Sequence, residues 1–160
     1  MEFRHALKNE LNEILTLYKE AIGRPFCVWN EEYPTINELN EDFKTNNLYV
    51  LVDKDKVISA ISIVYENEMD HFMEWKIKDN YIETARLVVS NDYHGKGIAF
   101  IMMNNIIALC KMNNIKAIHL SCQCKNVPAI KTYKKIGFNF ITTKFMYGYD
   151  YFLCEYIVEI

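Results

Sequence analysis

Proline and glycine are scarce in this chain, three and five residues respectively, too few for a collagen-like, linker-rich or low-complexity polypeptide. No apolar run reaches the roughly 20 residues needed to span a bilayer; the best window, Ile98 to Cys110, is broken by Asn104 and Asn105. Positive charge is not in excess either. Lys and Arg number 18 against 21 Asp and Glu, for a net charge of −3 and a pI near 5.8, which gives no electrostatic reason to expect nucleic acid as the main partner. The opening Met1-Glu2-Phe3-Arg4-His5 lacks the basic-then-apolar pattern of an export signal, so a soluble, cytoplasmic protein with no membrane partner is expected. Five cysteines, Cys27, Cys110, Cys122, Cys124 and Cys154, make an odd set in a chain large enough to fold without staples, and read as reduced thiols. What the chain has in quantity is apolar surface: 51% of its 160 residues are hydrophobic and 14% aromatic. One domain over residues 1–160, with a sizeable core, is the natural expectation.

The periodicities predict an α/β chain. Residues 2 to 5 suit a short strand, and Leu7, Leu11, Ile14, Leu15, Tyr18 and Ile22 mark an amphipathic helix that Gly23 and Pro25 end. Thr35 and Glu38 form a capping box for a second helix from Ile36, with Leu39 and Phe43 facing inward. The intervening loop carries Phe26, Trp29 and Tyr33, more aromatic than a solvated connection needs. Leu48–Val52 and Val57–Tyr65 read as a hairpin around the polar Asp53-Lys54-Asp55-Lys56 turn. An acidic irregular stretch, 66 to 80, precedes a strand over Tyr81–Ser90, a helix to about Met112 and a strand over Ile115–Cys122. Strand, helix, strand implies a right-handed crossover between locally parallel strands. Asn126 can cap a further helix with Pro128 in its first turn and Gly137 past its end, and Phe138–Phe145 and Tyr151–Ile160 alternate like two antiparallel strands.

Two segments carry chemistry. The run His94-Gly95-Lys96-Gly97-Ile98-Ala99 lies where a strand ends and a helix begins, and small residues there let main-chain N–H groups approach an anion, aided by the helix dipole. Its spacing matches neither a Walker loop nor the dinucleotide fingerprint. A plain connecting turn and a phosphate cradle are both open on this segment alone. In the second segment, Asn126 and Tyr133 stand seven residues apart and so share one helical face, where their polar groups can meet one ligand.

Together these segments resemble the GNAT superfamily of acetyl-CoA-dependent N-acyltransferases, whose loop runs Gln/Arg-x-x-Gly-x-Gly/Ala and whose later helix opens with Asn and carries Tyr. Here the matching positions are His94, Gly97, Ala99, Asn126 and Tyr133, with His94 departing from the usual Gln or Arg. The element order is also similar over the whole chain. The resemblance implies a mixed, mostly antiparallel sheet of six to seven strands, opened like a V between the fourth and fifth, with four helices on both faces. It implies acetyl-CoA as co-substrate, its pyrophosphate on residues 94 to 99 with Asn126 and its pantetheine arm on the main chain of Leu87, Val88 and Val89. It further implies that Tyr133 assists departure of the CoA sulfur.

The remaining chemistry concerns the amine. With a pKa near 10 an acceptor amine is protonated roughly a thousand to one at neutral pH, so attack on a thioester needs a base or a proton path to water. Glu83 is the candidate, since an apolar strand would raise its pKa; a solvated Glu near the strand start is the plainer alternative, and Glu66 and Glu74 can also reach a pocket. By alternation Glu83 shares a face with Tyr81, Ala85, Leu87 and Val89, and Arg86 lies opposite, paired with a carboxylate or facing solvent. Trp29, Tyr33 and Glu74 are the expected acceptor-binding residues, in a setting whose negative charge suits a cationic amine. Cys122-x-Cys124 lacks a second pair for zinc, and His5, His71 and His119 are isolated, so no metal is expected. No Gly-x-Ser-x-Gly elbow points to a serine hydrolase.

The leading expectation is therefore an N-acetyltransferase acting on a primary amine of a small molecule or peptide, by direct attack in a ternary complex. The alternatives are a non-catalytic acyl-CoA-binding regulatory module and an interaction domain using the 26 to 33 loop. A homodimer is common in the resembled family, and no surface in the sequence demands one.

Overall fold

A computed structural model describes residues 1–65 and 68–159, in two compact units. Residues 1–63 and 85–102 form the first unit, and residues 64–84 and 103–160 the second. Strand β4 (Tyr81–Val89) and helix α3 (Ile98–Met112) each contribute to both. Among the described residues, seven strands make a mixed sheet in the order β1-β2-β3-β4-β5-β7-β6, accompanied by four α-helices.

In the first unit, β1 (Glu2–His5), β2 (Leu48–Asp53) and β3 (Lys56–Val64) pair antiparallel in turn, with Phe3 opposite Leu51 and Tyr49 opposite Ile61. The polar turn expected at residues 53 to 56 joins β2 to β3, with Lys54 and Asp55 both at positive φ, the backbone a tight hairpin turn requires. Helix α1 (Leu11–Ala21) supplies Ile14, Leu17, Tyr18 and Ala21, and α2 (Ile36–Lys44) supplies Leu39, to a core with Leu48, Val50, Val57, Ala60 and Val88. Full burial of each large apolar side chain contributes about 1.5–3 kcal/mol before ordering costs. The start of α2 follows from its sequence: Thr35 Oγ1 accepts the Asn37 N–H, and Glu38 accepts both the Thr35 N–H at 2.8 Å and its hydroxyl at 2.6 Å.

In the second unit, β4 pairs parallel with β5 (Ala117–Gln123), placing Tyr81 opposite Ala117 and Glu83 opposite His119. β5 pairs antiparallel with β7 (Tyr149–Ile157), which pairs antiparallel with β6 (Asn139–Met146). Tyr147 and Gly148, both at positive φ, close the β6–β7 hairpin. Helix α4 (Val127–Ile136) is capped as its sequence dictates: Asn126 Oδ1 accepts the Ala129 N–H at 3.2 Å, Pro128 sits in the first turn, and Gly137 leaves the helix at φ 114°. Residues 68 to 71 form a single 3-10 turn.

One expectation about β4 needs correction. Arg86 has φ 53° in the middle of the strand, a left-handed conformation that a side-chain-bearing residue seldom adopts and that breaks the two-residue pleat. The face shared by Tyr81 and Glu83 therefore cannot be extended by simple alternation to Leu87 and Val89.

Candidate functional site

The glycine loop and its neighbours lie in the first unit. After β4, a 3-10 turn over Asn91–Tyr93 leads into His94–Gly97, all exposed, and then into α3. The first hydrogen bond of α3 runs from the Ile101 N–H to the Gly97 carbonyl at 3.1 Å. Among the N–H groups before it, those of Gly95 to Ala99 find no acceptor among the described residues. Gly95 and Gly97 both have φ 74°, with nothing within 4 Å of a Cβ built on either. Open space over a row of uncommitted N–H groups at a helix N-terminus fits a diphosphate. The side chains matter less here. Ile98 is 2% exposed and belongs to the interior, and the Lys96 ammonium lies 5.1 Å from the Tyr93 ring centre. Val88 is buried while Leu87 and Val89 are half-buried; the Val88 carbonyl accepts the Ser59 hydroxyl at 2.7 Å.

Arg86 is more deeply engaged than either sequence alternative required. Its Nε and Nη2 donate to Asp42 Oδ2 and Oδ1 at 3.0 and 2.8 Å, and its Nη1 donates to the Tyr33 hydroxyl at 2.9 Å. Asp42, itself buried, also accepts the Ser62 hydroxyl at 2.6 Å. The Tyr33 ring is still exposed, whereas Trp29 packs edge-on against Tyr18 at 5.5 Å and lies half-buried against the first core. Asp42 was not legible as a site residue, because a single acid on an amphipathic helix carries no signal of its partner.

Tyr133, Asn126, Glu83 and Glu74 belong to the second unit. The Tyr133 ring is half-buried, 5.3 Å edge-on from Phe138, and its hydroxyl has no hydrogen-bond partner among the described residues. Burial, reinforced by the Cys122 and Cys154 thiols, pushes this phenol well above its ordinary pKa, so it is a protonated donor throughout the neutral range. Asn126 commits its oxygen to the helix cap, leaving its amide nitrogen as the group available to a ligand. Glu83 is 6% exposed, which removes the solvated alternative. Glu74 pairs with Lys144 at 2.6 Å, and that hydrogen bond holds its carboxyl below the usual carboxylate range. Glu66 lies outside the described residues.

His119, isolated in the sequence, lies on β5 at the centre of a buried cluster. It lies flat between Trp75, at 3.9 Å and 6°, and Tyr81, at 4.4 Å and 24° between ring planes. Its Nε2 is 2.8 Å from Glu155, whose carboxylate also accepts the N–H groups of Lys76 and Ile77 at 3.1 and 2.9 Å. Trp75 donates its indole N–H to the Met69 carbonyl. Cys122 and Cys124 are free thiols, and burial pushes Cys122 up to about 12, so it is a packing group. Among the described residues, no three His, Cys, Asp or Glu side chains are grouped to hold a metal ion, and no helix is long and apolar enough to cross a membrane.

The family model of the acetyltransferase (GNAT) family matches residues 10–138, and the chain belongs to that family. Membership makes it an acyltransferase that uses acetyl-CoA as co-substrate. Among similar solved structures is an N-acetyltransferase of Staphylococcus aureus Mu50, 24% identical, TM-score 0.78, covering 99% of this chain and 98% of that one. A GNAT family acetyltransferase of Streptococcus agalactiae is 19% identical with TM-score 0.83, covering 99% and 96%. A Salmonella typhimurium structure solved with its cofactor acetyl-CoA is 16% identical with TM-score 0.77, covering 100% and 95%. These three likenesses speak for the fold. N-acetylaspartate synthetase of Xenopus tropicalis is 30% identical over 64 residues, 40% of this chain but only 24% of that protein's length.

Proposed function

We propose that residues 1–160 act as a single cytoplasmic N-acetyltransferase domain, moving acetyl from acetyl-CoA to a primary amine of a small molecule or peptide by direct attack in a ternary complex. The observation that carries this reading is the row of uncommitted N–H groups at the start of α3, beneath open space at Gly95 and Gly97. Acetyl-CoA, when bound, supplies a thioester carbonyl as the electrophile. The chain's own residues do the rest. The N–H groups of Gly95 to Ala99 hold the pyrophosphate, with the ammonium of Lys96 and the imidazole of His94 beside it and the Asn126 amide as a further donor. The main chain of Leu87, Val88 and Val89 orients the pantetheine arm.

Glu83 takes the proton of the amine. What supports the role is its place in the interior of the second unit, 6% exposed on β4 opposite His119. Tyr133 donates a hydrogen bond to the departing sulfur. A phenol kept protonated and without an internal partner is suited to that task. Trp29, Tyr33 and Glu74 bind the acceptor, with Tyr33 offering an exposed ring. The Lys144 partner of Glu74 offsets part of the negative charge that a cationic amine would meet.

The test is a screen of amines with thiol release as the readout, run on the native chain and on Tyr133→Phe. The native chain is expected to release thiol only with an amine present, and Tyr133→Phe to lose turnover while keeping acetyl-CoA affinity. Thiol release without amine would overturn the reaction type. Saturable acetyl-CoA binding with no turnover on any amine would leave a regulatory acyl-CoA-binding module instead.

A further inference from the structure

We infer that Arg86 is a positioning residue: clamped by Asp42, its guanidinium holds β4 in the left-handed turn that sets the course of the Leu87–Val89 main chain. This role rests on the proposed function, which gives that main chain to the pantetheine arm. A residue with a long side chain at φ 53° in a strand interior is held against its own preference, and such a conformation persists only where the surroundings over-determine it.

The surroundings do so here. Asp42 of α2 takes the guanidinium in a two-pronged pair at 3.0 and 2.8 Å, and Ser62 of β3 fixes Asp42 through a 2.6 Å hydrogen bond. Tyr33, from the loop before α2, receives the third guanidinium nitrogen at 2.9 Å. The Arg86 and Asp42 side chains are only 12% and 10% exposed, so water can replace little of this geometry. A planar, two-pronged contact fixes orientation as well as distance.

The residues after the turn are equally constrained. The Val88 carbonyl accepts the Ser59 hydroxyl at 2.7 Å, the Ser90 N–H reaches the Ile58 carbonyl at 2.8 Å, and the Val88 side chain is 3% exposed in the first core. Leu87–Val89 is thus a short span fixed at its far end by β3 and at its near end by a strained residue. Release of the guanidinium frees the near end. With Asp42 and Tyr33 already occupying three of its nitrogens, the guanidinium serves this clamp rather than a passing anion.

Two variants test the inference: Arg86→Gly, which adopts the left-handed turn without strain but has no clamp, and Asp42→Asn, which keeps the shape and removes the charge. Acetyl-CoA Kd by calorimetry, KM and kcat with a fixed amine, and amide exchange at Leu87–Val89 are measured for each. Arg86→Gly and Asp42→Asn are expected to raise Kd and KM for acetyl-CoA about tenfold and to speed exchange at Leu87–Val89 by a similar factor, with kcat at saturation within about threefold. A clamp that serves stability alone would lower Tm and leave KM and exchange at those amides unmoved, and that result in folded Arg86→Gly overturns the inference. If Asp42→Asn does not fold, Arg86→Gly decides. If the native chain itself gives no saturable acetyl-CoA heat, the assignment of Leu87–Val89 to the cofactor falls, and the inference with it; equal binding by native chain and variant removes the inference alone.

Discussion

His119 stands 2.8 Å from Glu155, Nε2 to Oε2, with each side chain only 2% exposed. Burial is the largest influence on the imidazole and holds its pKa below the ordinary 6.5, although Glu155 pulls the other way. The folded chain therefore resists a proton that the unfolded chain accepts. Stability present above pH 6.5 is lost as pH falls from 6.5 through the lowered folded value. Tm measured from pH 7.5 to 5 is expected to fall more steeply for the native chain than for His119→Gln, whose amide can still donate to Glu155. Parallel curves would show that His119 does not carry this dependence.

Tyr133 gives the opposite sign. Its phenol is raised in the folded state, so its contribution to stability is complete below pH 10 and is lost as pH rises beyond it. Activity should then show no alkaline limb from this group between pH 7 and 10. In Tyr133→Phe, kcat is expected to drop roughly a hundredfold with acetyl-CoA Kd unchanged. A variant with native kcat would remove the phenol from the reaction.

Gly97→Ala separates space from backbone. Nothing within 4 Å opposes an added Cβ, yet φ is 74°, so the cost comes from conformation and should be about 1 kcal/mol of stability. Acetyl-CoA affinity is expected to fall further, by about tenfold, because a backbone driven away from φ 74° re-aims the N–H groups assigned to the pyrophosphate. Denaturant titration and calorimetry on the same preparation check both numbers; unchanged affinity would take the loop out of the binding site.

Leu39 is fully buried in the first core, against side chains of α1 and β2. Leu39→Ala is expected to cost about 2–5 kcal/mol, read as a lower denaturation midpoint at unchanged slope. Acetyl-CoA Kd extrapolated to the folded fraction should not change, because Leu39 lies outside the proposed site.

Local rules made much of this structure legible. Thr35 and Glu38 announce a helix start, Asn126, Pro128 and Gly137 bracket another, and the run from Tyr81 to Cys122 reads as a parallel crossover; each is a short-range signal, and each is present. The glycine loop was visible for the same reason. Arg86 was not, because alternation assumes a regular pleat and no residue type announces a left-handed turn held by a partner 44 positions away. The partners of His119 were illegible for a similar reason: Trp75, Tyr81 and Glu155 meet it only in the folded chain. Glu83 stood between burial and solvent in the sequence, and only packing could decide.

The uncommitted donors at the start of α3 belong to peptide groups, and every amino acid but proline carries one. Chemical identity at positions 94 and 96 is therefore nearly invisible to them, while handedness at 95 and 97 is not. An amide or guanidinium in place of the imidazole at 94 would leave those peptide donors as they are, whereas a β-carbon at 95 or 97 would have to live at φ 74°.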